Sequence, residues 1–191
     1  MKKLSAVFAI LFLLCAFRVS AEGDKARQLT LSGLDKKLTD SSYLTSADCG
    51  EIKISADGEI SSLYIIFHSK AQEFKVKSGE KTKTVKTDFL HTLTDVSELK
   101  SNDLTVDFGG AKISDVYAFS AGTLPDFVQN WEKPLERADI LLNSSHSDDD
   151  QLFFAGLLPY YAARGCDIQV VYYTDHKNEP RRRHELLNGL W

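Results

Sequence analysis

A chain of 191 residues, 43% hydrophobic and 26% charged, has ordinary globular composition, enough for one good core or a small domain plus part of another. Its formal net charge of -4 excludes phosphate-backbone binding as the main task. No basic patch with interleaved aromatics is present, and "RRRH" at 181–184 is too short to recruit nucleic acid by itself.

The first element is a leader. "MKK" is a positively charged start and "LSAVFAILFLLCAF" a short apolar run, followed by the small residues "VSA" at 19–21 where a signal peptidase cuts. The run is shorter than the roughly 20 residues a spanning helix needs, so residues 1–21 are expected to be an export signal that leaves no transmembrane helix. Leu14 precedes Cys15 where a lipid-attachment signal wants a small residue, which argues against a lipoprotein. The mature chain is expected to start near Glu22 and to be secreted, periplasmic or at the cell surface. It keeps Cys49 and Cys166, which in an exported protein either pair or stay as separate thiols.

From about residue 30 to 125 the chain reads as strands. "SSLYIIFHS" is a continuous apolar run, and "EFKVKSGEKTKTVKTDF" alternates on either side of "SGE" as a hairpin does. In "DLTVDF" the spacing of Leu104, Val106 and Phe108 puts one face inward; "GG" is expected to turn the chain before a further strand, "ISDVYAFSAG". No helical periodicity is sustained, so residues 22–122 are expected to form an all-β sandwich or jelly roll. Tyr64, Phe67 and Tyr117 read as core, and His68 and His91 as part of the same sheet structure. Residues 123–137, with two prolines and mixed charge, read as a linker.

The pattern then changes. "DILLNS" and "CDIQVVYYT" are short apolar runs suited to strands buried on both faces. Between them "DDDQLFFAGLLPYYAARG" opens with carboxylates, as a helix N-terminus favours, and stops at Gly165. Pro159 predicts a kink or an early end to that helix. Strand, helix, strand at this spacing is one βαβ unit with a right-handed crossover, the start of a Rossmann-like α/β domain over 138–191. One such unit followed by "RRRHELLNGLW" cannot cover a parallel sheet, so the chain reads as the truncated front part of a larger protein.

A loop at the carboxyl end of a parallel strand is where open α/β sheets build sites, and "SSHSDDD" at 144–150 falls there. Imidazole and carboxylate are ordinary zinc ligands, and a further carboxylate can take a proton from water. The bland alternative is a solvated turn whose aspartates cap the helix.

"SSHSDDDQLFFAG" resembles the signature loop A-H-P-D-D-E of the PIG-L/LmbE family of zinc-dependent N-acetylglucosaminyl deacetylases. The likeness runs on through "DIQVVYYTDH" to "RRRHELLNGLW", which is similar to the family's R-x-x-E-L helix. The resemblance implies His146 and Asp149 as ligands of Zn2+, with iron equally suited to the donors, and Asp148 as the base that activates water. It places Arg182 against substrate, with Glu185 pairing Arg182 or positioning the helix. The implied substrate is an N-acetylated sugar or glycoconjugate, and the implied reaction hydrolysis of its amide. Ser145 and Ser147 stand where the family has Ala and Pro, and Asp150 where it has Glu. The family's third ligand is a histidine far downstream, which this chain does not reach, so weak activity at most is expected. His176, at the end of the second parallel strand, is a possible third ligand or a polar loop residue, and His184 is expected to be a solvated helix residue. The β-rich part is similar in strand rhythm to the discoidin-like sandwich of factor 5/8 type, which implies possible glycan binding. A competing reading is a carbohydrate-binding or adhesion protein with a remnant α/β part. A third is a βαβ unit completed by another chain.

Overall fold

The computed structural model describes residues 24–176 and 178–191; the expected export signal at 1–21 lies outside them. Most of the described chain is β-sheet, with a few helices. Nine strands run in order: β1 Leu31–Ser32, β2 Ala47–Ala56, β3 Ser62–Phe67, β4 Phe74–Ser78, β5 Lys81–Val85, β6 His91–Asp95, β7 Asp103–Phe119, β8 Ile140–Ser144 and β9 Ile168–Tyr172. Three α-helices follow β8 or β9: α1 Asp149–Phe154, α2 Leu157–Ala162 and α3 Pro180–Leu190. Among the described residues no helix is long and apolar enough to cross a membrane.

β7 organises the antiparallel part. Its first half pairs β2 on one side and β4 on the other, and its second half pairs β2 and β3, with β6 outside β3. The expected turn at "GG" is absent: the strand passes through Gly109 and Gly110 and bends there. Both glycines take positive φ, 60° and 87°, a conformation that costs a residue without Cβ little. The pairing with β2 shifts at the same place, between Cys49 and Glu51. The bend resets the side-chain phase, so Leu104, Val106 and Phe108 before it and Ala111 and Ile113 after it all reach one core.

That core joins the inner faces of the bent sheet, with Phe67, Phe74 and Phe108 in mutual ring contact and Leu63, Ile65 and Ile54 around them. The apolar run of β3 is explained by burial on both faces: Leu63, Ile65 and Phe67 face this core, while Tyr64 and Ile66 face a second cluster with Phe119, Val128 and Ala26. Tyr64 and Phe67 are thus core, as expected, and Tyr117 packs beside them half-buried. Segment 24–29 closes the second cluster, bridging Lys25 to Thr123 and Gln28 to Phe119. It approaches Gly122 so closely that a Cβ there would stand 2.6 Å from the Ala26 nitrogen.

The hairpin β4–β5 forms where "SGE" predicts, with Gly79 at φ 56° in the two-residue turn between the paired Ser78 and Lys81. Cys49 and Cys166 are both free thiols. Burial pushes the Cys49 thiol up to about 11, so it stays neutral near pH 7.

Residues 124–139 contain no strand or helix, and β8 and β9 then pair in parallel from Ile140↔Ile168 to Ser144↔Tyr172. The helix between them ends early, as Pro159 predicts. It breaks at Ala155–Gly156, and Pro159 lies inside the first turn of α2 rather than at a kink. A proline ring clashes with the carbonyl four residues earlier, here Ala155, so placing the break there removes the conflict. Gly165 ends the helical segment at φ 77°.

Helix α3 begins with Pro180 at its first position, where the missing N–H costs nothing, and packs on the antiparallel sheet. His184, expected in solvent, is fully buried at 0% exposure. The helix docks through that side chain, a contact between distant segments that helical periodicity does not show.

Candidate functional site

The loop 145–148 leaves the carboxyl end of β8, and backbone bonds carry the parallel pairing onward: Tyr173 N donates to Ser144 O (3.0 Å) and Thr174 N to Ser145 O (3.1 Å). Helix α1 starts directly behind it. His146 and Asp148 are exposed, while Asp149 is half-buried with its carboxylate turned back over the loop. Its Oδ2 accepts from the backbone N–H groups of Ser145 (3.0 Å) and His146 (2.9 Å) and lies 3.8 Å from His146 Nδ1. Asp149 therefore ties the loop as a cap does and also stands next to the imidazole.

Arg182 on α3 brings Nη2 to 3.9 Å from Asp148 Oδ2, so the expected base and the expected substrate-contacting residue face each other. Both are substantially solvated, and a pair of this kind is worth a few tenths of a kcal/mol, roughly. The expected pairing of Glu185 with Arg182 is not formed. Glu185 Oε1 takes Arg181 Nε at 2.7 Å, because residues four apart share a helix face, and this leaves Arg182 for the loop.

His176 is 8% exposed, at φ 47°, with neither ring nitrogen in a hydrogen bond; Glu179 Oε1 is 3.5 Å from Nδ1. Among the described residues no group of three His, Cys, Asp or Glu side chains is placed to hold a metal ion. His146 and Asp149 supply two neighbouring donors, one fewer than the three protein ligands of a catalytic zinc. As arranged, they do not fit a complete zinc centre.

Sequence reasoning missed the floor of this site. Ser144 and Tyr172, register partners at the ends of β8 and β9, are each left with a buried hydroxyl that makes no hydrogen bond. Asp150 joins them at 1% exposure: Oδ2 accepts from Gln151 Nε2 at 2.9 Å, and Oδ1 has no partner. The Tyr172 hydroxyl lies beside this carboxylate without hydrogen-bond geometry; burial first, and Asp150 next, push its pKa well above the ordinary tyrosine value. The available signal was their position as the last residues of parallel strands. Buried polar atoms without partners are costly and collect where a protein does chemistry or binds a ligand.

That cost makes a prediction. Asp150→Asn keeps the shape and supplies an N–H toward Tyr172, so it is expected to stabilise the fold by about 1 kcal/mol, or roughly 2–4 °C in thermal midpoint. A midpoint lowered by a similar amount would show that the carboxylate charge itself holds the structure.

No family model matches the chain, and no curated protein matches it. Among solved structures it is similar to a family 89 glycoside hydrolase from Clostridium perfringens in complex with PUGNAc, at 14% identity and TM-score 0.38, covering 74% of this chain and 18% of that one. A doubly substituted form of the enzyme, in complex with its substrate GlcNAc-alpha-1,4-galactose, is similar at 12% identity and TM-score 0.38, covering 75% and 18%. At that score the likeness carries no argument, and this chain spans under a fifth of either enzyme's length. The PIG-L/LmbE resemblance thus rests on its motif residues alone. What the fold and site define is a β-rich protein with a parallel β–α–β element bearing a polar loop at its carboxyl edge.

Proposed function

We propose that the protein is an exported, metal-dependent hydrolase of PIG-L-like kind that removes the N-acetyl group from an N-acetylglucosamine-type sugar. With this reading goes the division into a sandwich at 22–122, a linker at 123–137 and an α/β part at 138–191. The observation that carries it is the convergence at one carboxyl edge of a parallel pair: His146 beside Asp149, Asp148 facing Arg182, and orphaned polar groups beneath. Capping alone accounts for Asp149, but it leaves Asp150, Ser144 and Tyr172 buried without complete partners.

In this reading Asp148, exposed and not engaged in the loop's own hydrogen bonds, takes the proton from the water that attacks the acetyl carbonyl. The C–N bond breaks, the proton passes to the amine, and acetate leaves. Arg182 holds a sugar hydroxyl or the amide oxygen by its fixed donors. A divalent cation, zinc or iron, would be held by His146 and Asp149 and would polarise the acetyl carbonyl and its water; His176, buried with both nitrogens free of hydrogen bonds, is the reserve donor.

The test measures zinc affinity by chelator competition, and amine release from an N-acetylglucosamine conjugate, for the chain from residue 22. His146→Ala and Asp149→Ala are expected to lose the zinc. Asp148→Asn is expected to keep it and to lose roughly 10²–10⁴-fold in turnover. Zinc no tighter than in the two alanine variants, with no amine released, would remove the hydrolase reading. Saturable binding of the same conjugate would then leave a carbohydrate-binding protein.

A further inference from the structure

Helix α3 is held to the antiparallel sheet by a buried chain of hydrogen bonds whose direction one carbonyl sets. His184 Nε2 lies 2.9 Å from the His68 carbonyl oxygen, which can only accept, so Nε2 carries a proton. In the neutral ring Nδ1 is then the acceptor, and it meets His91 Nε2 at 2.9 Å. His91 must donate there, which leaves its Nδ1 to accept from the Tyr64 hydroxyl at 2.7 Å. Every link is satisfied with both rings neutral, the tautomers being assigned from the terminal acceptor.

A proton on either ring breaks this order. On His184 it sets Nδ1–H against His91 Nε2–H, and a change of His91 tautomer only moves the loss to the Tyr64 O–H, which then has no acceptor; on His91 it sets Nδ1–H against the Tyr64 O–H. Among the described residues no carboxylate is in contact with either ring. The titratable and charged groups facing the pair are Tyr43, stacked on His184 at 5.1 Å from the loop before β2, Tyr64 on β3, His68 after it and Arg183 on α3. Behind Tyr64 stands Tyr117 on β7, and Asp115 beyond it accepts from Ser41 N. Burial, and then the neighbouring imidazole, pushes His91 down to about 3; burial is also the first cause lowering His184.

Apart from the solvated Arg182–Asp148 contact, the other side-chain ties of α3 to the rest of the fold carry no acid-titrating group. Arg183 Nη1 donates to Ser69 O (2.8 Å), Gln129 Nε2 to Asn188 Oδ1 (2.7 Å) and Trp191 Nε1 to Asp126 O (2.6 Å). The phenylalanine cluster of the main core lies on other elements, and of α3 only the half-buried Leu187 packs against that core.

We propose that the His91–His184 pair is an acid-released clasp: as the pH falls, the rings take up protons only by parting, and α3 undocks while the antiparallel core stays folded. This is independent of the proposed activity. Exported proteins meet acidic surroundings, and a buried imidazole pair is a direct way for a fold to sense them.

The test is amide hydrogen exchange on the chain from residue 22 at pH 7.5 and 5.5, corrected for intrinsic rates. Each histidine that is free to titrate only in the undocked form multiplies the opening constant about tenfold over that interval. Opening of α3 amides is expected to rise roughly 100-fold, while β7 amides, which open only on global unfolding, keep opening constants at least roughly tenfold below those of α3 at both pH values. His91→Gln and His184→Gln should each reduce the α3 response to about tenfold. Because either variant could undock the helix at all pH values, imidazole NMR on the unsubstituted chain supplies a second check. Both rings should remain neutral Nε2–H tautomers at pH 5.5 in the docked form. An α3 response under threefold, α3 amides opening no more readily than those of β7 at pH 5.5, or a docked imidazolium would each overturn the clasp.

Discussion

Phe108→Ala is expected to lower the unfolding free energy by about 3–5 kcal/mol, the usual cost of removing a fully buried aromatic side chain. Phe108 is 0% exposed, in T-shaped contact with Phe67 at 6.3 Å and tilted contact with Phe74 at 5.4 Å, so truncation opens a cavity and also removes two ring pairs. It is the last residue of β7 before the two-glycine bend, where both halves of the sheet meet, and little backbone can collapse into the gap. Stabilities of single domains are about 5–15 kcal/mol, so the variant should sit near the edge of folding. Phe108→Leu, which keeps most of the volume, should cost less than about 1.5 kcal/mol. Urea midpoints at unchanged slope measure both. A loss below about 1 kcal/mol for the alanine variant would place the centre of the core elsewhere.

The second large effect is loss of stability in acid. His91 is held down to about 3 in the folded state by burial and then by His184, against an ordinary value near 6.5. Its contribution is therefore complete above about pH 6.5, where neither state is protonated, and is lost as pH falls from there toward 3. His184, shifted the same way, adds to the loss. Asp115 opposes it: burial raises its carboxyl to about 6, so its contribution is complete below the unfolded value near 3.8 and is lost as pH rises through 6. Between pH 7.5 and 4.5 His91 alone costs about 2.5 kcal/mol and Asp115 returns about 2, so these two nearly offset and the further loss from His184 sets the net fall. Urea midpoints at the two pH values report it, and the double variant His91→Phe with His184→Leu should flatten the difference. Equal or greater stability at pH 4.5 would mean that Asp115 dominates the buried titrations.

The two effects concern different layers of the molecule. The phenylalanine cluster holds the bent sheet whatever the pH, whereas the histidine pair couples the sheet to α3, and through α3 to the Arg182 that faces Asp148. Stability of the core and position of the site are thus set by separate groups, which allows one to be altered without the other.

The sequence by itself marked several of the strands, though not β1, β2 or β6. Alternation in "DLTVDF" and "FKVKS" and the apolar run of "SLYIIF" follow from the two-residue period of a pleated strand, and "SGE" between threonine- and lysine-rich arms follows from turn chemistry. It also determined where a polar loop would emerge, because a short apolar run followed by carboxylates marks the end of a strand and the start of a helix. Burial of β8 and β9 on both faces, expected from their apolar runs, is not found: Leu141 is 56% exposed and β9 only half-buried, with no helix layer on both sides of a two-stranded pair. Tertiary structure decided what is non-local. That "GG" bends one strand instead of ending it depends on β2 and β3 lying alongside to continue the pairing. Glu185 taking Arg181 follows from four-residue spacing on one helix, and the break after Phe154 from Pro159, so these two are local and lay within reach of the sequence. The loop's own residues were legible, but Ser144 and Tyr172 became a floor only when β8 and β9 came into register. His184 is the plainest case: in a run of arginines it reads as solvent-facing, and only partners 93 and 116 residues away bury it. Local patterns record what a residue prefers, and burial depends on which distant segment arrives against it.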